Sequence, residues 1–89
     1  MVDIFKAIEK NDYKSVLEYL DAKGDANVKN RSGWTPLMFA VSNDNYEIAE
    51  ALLKNGADPR EAHADGWTIF DIIEEEGFEE MEELFYPYR

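Results

Sequence analysis

The sequence contains no cysteine, which excludes disulfide bonds, thiolate catalysis and cysteine-ligated metal sites. It also lacks any run of eighteen apolar residues, so we expect no membrane-spanning helix. Residues 1–10 carry Asp3, Lys6 and Glu9 among their apolar residues, which is not the pattern of a secretory signal. These absences favour a cytoplasmic protein.

Basic residues are scarce, with nine Lys and Arg against twenty Asp and Glu, giving a net charge of −11. Phosphate contacts need Lys and Arg, so we expect no direct binding to nucleic acid. Residues 1–60 hold ten acids and eight bases, a net of −2, whereas residues 61–89 hold ten acids and only Arg89, a net of −9. With 45% apolar residues, the 89-residue chain should still fold as one small domain.

Catalytic patterns are also missing. The only histidine, His63, falls in a predicted turn, and Ser15, Ser32 and Ser42 are not flanked by the glycines of a nucleophile elbow. No glycine-rich loop carries a lysine that could hold a phosphate. Adjacent glutamates at 74–76 and 79–80 point in different directions on a helix, and the turns lack calcium-loop spacing. We therefore expect no enzyme activity, cofactor or metal.

An internal repeat organises the chain. Gly33-Trp34-Thr35 recurs as Gly66-Trp67-Thr68, 33 residues later. Each copy is followed by apolar residues at helical i, i+3, i+4 spacing: Leu37, Ala40 and Val41, then Ile69, Ile72 and Ile73. A third copy is predicted upstream at a shift of 32, pairing Phe5, Ile8, Val16, Leu20 and Gly24 with Leu37, Ala40, Ile48, Leu52 and Gly56. At that shift, the first connection is one residue short.

Local chemistry predicts where the helices begin and end. Thr35 is suited to an N-cap and Pro36 to the first helical position, where its missing N–H is harmless. Gly24 and Gly56 follow the second helices, where we expect left-handed residues to close the last turn. The pattern predicts helices near 4–10, 13–21, 36–42, 46–54, 69–75 and 79–86, with extended turns between the repeats.

Residues 35–40 (Thr-Pro-Leu-Met-Phe-Ala) and 48–58 (Ile-Ala-Glu-Ala-Leu-Leu-Lys-Asn-Gly-Ala-Asp) resemble one ankyrin repeat. The resemblance implies an all-α helix-turn-helix solenoid in a single domain, with repeats at about 1–29, 30–62 and 63–89. The outer two are degenerate and are expected to cap a complete stack. Met38 and Asp71 replace the family's usual histidines and Ile69 its proline, so histidine bonding between repeats should be missing or rebuilt.

The resemblance also implies a non-enzymatic, protein-binding concave face. Its predicted residues are Arg31, Ser32, Trp34, Met38, Ser42 and Asn43 in repeat two and Asp65, Trp67, Asp71, Glu75 and Glu76 in repeat three, with Lys6, Lys10 and Asn11 in repeat one. The tryptophans either pack only within the stack or also contact a partner. The Met38 side chain either fills a gap or serves as an adaptable contact.

The charge distribution predicts the kind of partner. We expect a monomeric adaptor or inhibitor of a basic-surfaced protein, for example of the immunity or antitoxin type, whose acidic third repeat steers association. Alternatively, the acids serve only solubility. Two further alternatives are a nucleic-acid mimic that blocks a DNA-binding protein and a structural subunit that self-assembles through its aromatic tail, residues 85–89. That tail either folds back over the last helix or offers a hydrophobic contact.

Overall fold

In the part of the chain that the structure describes, six α-helices form three consecutive helix-turn-helix pairs. The computed structural model describes residues 3–63 and 65–88. The helices are α1 (Ile4–Glu9), α2 (Tyr13–Asp21), α3 (Pro36–Ser42), α4 (Tyr46–Lys54), α5 (Ile69–Glu76) and α6 (Glu79–Phe85), followed by a 3₁₀ turn at Tyr86–Tyr88. Every boundary lies within one residue of the predicted one. The described ranges contain no strand, only an isolated bridge between Ala62 and Thr68. The all-α solenoid is confirmed.

Threonine caps start the first helices of the second and third pairs. Thr35 Oγ1 accepts a hydrogen bond from the Met38 N–H at 3.2 Å, and Pro36 occupies the first turn, as predicted. Thr68 and Asp71 form a capping box, in which the Asp71 carboxylate accepts from the Thr68 N–H at 2.9 Å. This reciprocal cap starts α5 without the proline that starts α3.

Backbone conformation repeats at intervals of 33 residues along the whole stack. Left-handed residues follow the first helix of each pair at Asn11 (φ 56°), Asp44 (φ 54°) and Gly77 (φ 71°). Buried side chains follow the same interval, with Ile4, Ala7 and Ile8 preceding Leu37, Ala40 and Val41 by 33. The predicted shift of 32 is therefore wrong, because it paired Phe5, which is only partly buried, with the buried Leu37.

Left-handed residues also follow α2 and α4, at Lys23 (φ 66°) and Gly56 (φ 91°), again 33 residues apart. The prediction for Gly56 is confirmed, but Gly24 is not among the left-handed residues. Gly24 instead makes room for an aromatic ring, since a Cβ there would lie 2.5 Å from Tyr19 Cε1. The Tyr19 hydroxyl donates to the Asp25 carbonyl at 2.9 Å, which holds the ring over the glycine. When Lys23 is aligned with Gly56, the connection from Lys23 to Gly33 has the same length as the connection from Gly56 to Gly66.

The helices form two layers around one continuous core. Helices α1, α3 and α5 pack in series, and so do α2, α4 and α6. The largest fully buried side chains come from all three pairs: Ile8, Val16, Leu37, Met38, Val41, Ile48, Leu52, Ile69, Ile73, Met81 and Phe85, together with Thr35. Met38 is 1% exposed, so it fills the interior between pairs. Each pair buries apolar surface on its neighbour, as expected of a repeat stack.

The last helix and the tail separate apolar from acidic side chains. Met81 and Phe85 are fully buried, whereas the glutamates of α6 are exposed, as predicted. The Tyr88 ring lies 6.3 Å from the Phe85 ring, but Tyr86 is 71% exposed. The tail therefore folds back through one tyrosine and presents the other. Arg89, the only base predicted at this end, lies outside the described residues.

Hydrogen bonds from asparagine side chains join the first two helix pairs, in place of the histidine bonds that are usual in the family. Asn45 donates to the Ile8 carbonyl at 2.8 Å. Asn27 donates to the Gly56 carbonyl at 3.1 Å and accepts from the Asp58 N–H at 2.7 Å. These bonds connect residues 29 to 37 positions apart, so the bonding between the first two repeats is rebuilt with other side chains.

Candidate binding cleft

A cleft with a volume of about 370 Å³ opens between the second and third helix pairs. Its lining comes from both pairs: Trp34, Met38 and Ser42 from the second, and His63, Asp65, Trp67, Ile72, Glu75 and Glu76 from the third. Seven of the eleven residues predicted to bind a partner are in this set, so the structure brings most of them together in one cleft. The volume lies in the range of about 300–1,000 Å³ that is usual for ligand-binding clefts.

The floor of the cleft is apolar and one wall is a tryptophan with fixed orientation. Met38 and Ile72 are 1% and 9% exposed, respectively, and form the floor. The Trp34 ring makes edge contacts with Phe39, at 6.4 Å between centroids, and with His63, at 5.7 Å. Two such contacts restrict the indole to one orientation. Trp34 thus combines packing within the stack with a position on the cleft wall.

Trp67 is the exposed counterpart of Trp34. It is 45% exposed although it lines the same cleft. Its backbone is held in place, because the Trp67 carbonyl accepts from the His63 N–H at 2.7 Å. An indole is among the largest apolar side chains, and leaving nearly half of it in water forgoes hydrophobic stabilisation. Its contact surface is therefore available to another molecule.

His63 joins the turns of the second and third pairs. Its Nε2 hydrogen-bonds to the Ser32 carbonyl, and its Nδ1 accepts from the Asp65 N–H at 3.1 Å. Both ring nitrogens therefore contact backbone groups of the two turns. Asn30, 33 residues earlier, has the matching role, since its Oδ1 accepts from the N–H groups of Ser32 at 2.9 Å and Trp34 at 3.0 Å. The sequence predicted that His63 lies in a turn, but not that its ring accepts from the turn backbone as the Asn30 side chain does.

The rim of the cleft is acidic. Asp65, Glu75 and Glu76 line it and are exposed, with the Asp65 side chain at 79%. An adjoining depression that shares Trp67 is lined by further carboxylates, those of Asp71 and Glu74. No lysine or arginine of the described ranges lines either depression. The exposed indole therefore lies in a region of negative potential.

Four predicted partner-binding residues lie outside the cleft lining. Arg31 and Ser32 are exposed in the turn before Trp34, and Ser32 contributes its carbonyl to His63. The Asn43 amide donates to the Phe39 carbonyl at 2.9 Å. Asp71 caps α5, which occupies one side of its carboxylate. The three residues predicted in the first pair are exposed but line neither depression: Lys6, Lys10 and Asn11.

His63 is the only histidine, and its ring nitrogens are both engaged. Both ring nitrogens of His63 hydrogen-bond to backbone groups, so the ring is not positioned to remove a proton from a substrate. Within residues 3–63 and 65–88, no three His, Asp or Glu side chains are grouped to hold a metal ion. In the same ranges, the helices are all too short to span a bilayer.

Comparison with known proteins places these features in a family context. A family model described as ankyrin repeats (3 copies) matches residues 4–86. The chain is 34% identical over 79 residues to potassium channel AKT1 of Oryza sativa subsp. indica, which covers 89% of this chain and 8% of the channel. It is 32% identical over 80 residues to the mitochondrial disaggregase of Homo sapiens, in an alignment that covers 90% of this chain and 11% of the disaggregase. It is 39% identical over 70 residues to the 2-5A-dependent ribonuclease of Mus musculus, in an alignment that covers 78% of this chain and 10% of the ribonuclease. The chain thus spans about a tenth of the length of these relatives.

Proposed function

Because the chain belongs to the ankyrin repeat family and is a protein–protein interaction module, we propose that it binds a basic-surfaced protein through the cleft between its second and third helix pairs. In this role it acts as an adaptor or as an inhibitor, for example of the immunity or antitoxin type that covers a basic active-site cleft. The proposal includes a non-catalytic, monomeric protein and the cytoplasmic location expected from its composition.

One observation carries the proposal. Trp67 is 45% exposed beside the carboxylates of Asp65, Glu75 and Glu76, with no lysine or arginine of the described residues in the cleft lining. Tryptophan is enriched among residues whose truncation weakens protein interfaces most. An apolar ring surrounded by uncompensated acids is complementary to a surface that combines apolar contact with positive charge.

The charge distribution supports the same partner. Residues 61–89 carry ten acids against one base, whereas residues 1–60 are close to balance. Such a field accelerates the approach of a basic partner and orients it toward the third helix pair. Screening by salt weakens this steering, because the Debye length falls from about 10 Å at 0.1 M to about 3 Å at 1 M.

A capture experiment tests the proposal. The immobilised chain is incubated with source lysate at low and at high salt, alongside Trp67→Ala and the matched control Tyr86→Ala. Both substitutions remove an exposed aromatic ring, but only Trp67 lines the cleft. We expect one basic protein to be captured by the wild type and the control, lost with Trp67→Ala and weakened at high salt. Equal capture at both salt concentrations, or full capture by Trp67→Ala, would contradict the proposal.

A nucleic-acid mimic is the second candidate, favoured by the exposed carboxylates that continue from α5 onto α6. These are Glu74, Glu75, Glu76, Glu79, Glu80, Glu82 and Glu83. Neutralising Glu75, Glu76, Glu79 and Glu80 together should abolish competition with DNA for a captured DNA-binding protein, while Trp67→Ala should leave it intact. Light scattering separates both candidates from a self-assembling subunit, which would not be a monomer.

A further inference from the structure

We propose that the cleft receives a single arginine side chain of the partner, with the guanidinium stacked on the Trp67 indole and paired with the rim carboxylates. This inference rests on the proposed function and specifies the chemistry by which the cleft selects its partner. It is carried by three features: the exposed indole, the cleft volume and the charge at the end of α5.

The end of α5 carries charge of the unfavourable sign. Helix C-termini bear partial negative charge and are stabilised by cations. α1 and α4 follow this rule with Lys6 and Lys54 in their last turns, whereas the other four described helices have no base there. α5 differs from those helices in ending at the cleft on the exposed carboxylates of Glu75 and Glu76. A cation bound in the cleft would therefore be attracted by both the helix end and these two carboxylates.

The tryptophans favour an organic cation over a metal ion. The face of an indole attracts cations more strongly than that of any other aromatic side chain. Trp67 presents nearly half of its surface, and Trp34 is held in place on the same cleft by Phe39 and His63. The buried floor formed by Met38 and Ile72 is suited to the methylene stem of a long side chain.

Guanidinium fits this combination better than ammonium. It is planar, stacks on aromatic rings and pairs with carboxylates through two parallel hydrogen bonds. It is also less strongly hydrated than an ammonium group, so that it leaves water more readily for a half-apolar cleft. A cleft with an indole and adjacent carboxylates thus selects arginine over lysine.

A titration with model compounds tests this directly. N-acetyl-arginine methylamide, its lysine analogue and its uncharged citrulline analogue are titrated into the full chain, and the indole Nε1–H signals of Trp34 and Trp67 are followed by NMR. We expect saturable shifts of both signals with the arginine compound. Lysine should bind at least about threefold more weakly, and citrulline should give no saturation. Equal binding of arginine and citrulline would overturn the proposal, as would stronger binding of lysine.

Variants locate the bound probe. Glu75→Gln/Glu76→Gln should weaken arginine binding at least about fivefold. Its matched control, Glu79→Gln/Glu80→Gln, removes the same charge from α6 outside the cleft lining and should weaken binding less than about twofold. Equal losses in the two variants would mean that net charge alone is sensed and would reject the proposal. Trp67→Phe retains a smaller ring and should bind at an intermediate level.

The outcome is separable from that of the capture experiment. If Trp67→Ala loses the captured protein but the arginine compound gives no saturable shift in the wild type, the proposed function stands and this inference fails. If the arginine compound saturates the cleft but no basic protein is captured, the site chemistry stands without the proposed adaptor or inhibitor role.

Discussion

Two single substitutions after α2, Lys23→Gly and Gly24→Ala, should show at which of these neighbouring positions the fold requires glycine. Lys23 has a φ of 66°, a conformation that disfavours any residue with a Cβ by about 1–2 kcal/mol. Lys23→Gly removes this strain but adds about 0.5–1 kcal/mol of unfolded-state entropy. We therefore expect a net stabilisation of about 0.5–1 kcal/mol. If Gly24 held the left-handed position, as its alignment with Gly56 in the sequence predicts, Lys23→Gly would give no such gain.

Gly24→Ala should have the opposite effect. Its Cβ would lie 2.5 Å from Tyr19 Cε1 and 2.6 Å from two further ring atoms. The ring can move aside only by weakening the Tyr19 hydroxyl bond to the Asp25 carbonyl, worth about 1 kcal/mol. Overpacking of this kind costs about 1–3 kcal/mol. The lower chain entropy of alanine offsets about 0.4–1 kcal/mol of this. The expected net loss is about 1–2 kcal/mol.

Urea unfolding followed by circular dichroism at 222 nm measures both effects. With a slope of about 1–2 kcal/mol per M, Gly24→Ala should lower the midpoint by about 1 M. The same substitution in a Tyr19→Leu background, where the ring is absent, should cost less than half as much. The reasoning fails if Lys23→Gly destabilises the chain as much as Gly24→Ala does, or if Gly24→Ala costs the same with and without the Tyr19 ring.

Three further predictions address the end cap, the joint between pairs and alkaline pH. Phe85→Ala should cost about 3–5 kcal/mol in urea unfolding because Phe85 is fully buried. Tyr86→Ala, which truncates a ring that is 71% exposed, should cost less than about 0.5 kcal/mol. Asn27→Ala removes two hydrogen bonds between the first two pairs and should cost about 1–2 kcal/mol, visible as lower hydrogen-exchange protection on both sides of the joint. Burial, followed by the Asp25 carboxylate, raises the pKa of Tyr19 above its usual 10.0. The resulting stabilisation is present below pH 10 and is lost as pH rises through the folded-state value. The stability difference between wild type and Tyr19→Phe should therefore shrink between pH 9 and pH 12.

Much of the fold could be predicted because its local signals agree with one another. The Thr35 and Pro36 start and the i, i+3, i+4 apolar spacing each predict the same helices, and the structure has them within one residue. The first repeat was misaligned by one residue because Gly24 looked like the counterpart of Gly56. Gly24 is instead required because the Tyr19 ring packs against it. Sequence alone does not distinguish a glycine that makes room for a side chain from one that adopts a left-handed conformation.

The cleft was predictable in part for the same reason. Positions aligned by the repeat place Trp34, Trp67 and the acids of α5 on one side of the stack, and most of them line one cleft. The exposures of the two tryptophans differ because their neighbours differ. Trp34 has Phe39 and His63 as ring partners, whereas Trp67 is 45% exposed. The contact with His63 joins residues 29 positions apart, so it is not encoded in the local motif.

Because the left-handed residues that follow the helices recur every 33 positions, the middle helix pair is a unit that can be duplicated. Residues 30–62 pack through α3 and α4 against equivalent helices on either side. Copying this segment once more would lengthen the stack by one step while leaving residues 63–88 to form the same final cleft with the copy that precedes them. The distance between the first pair, which bears Lys6 and Lys10, and the acidic cleft would thus increase by one helix pair with each copy.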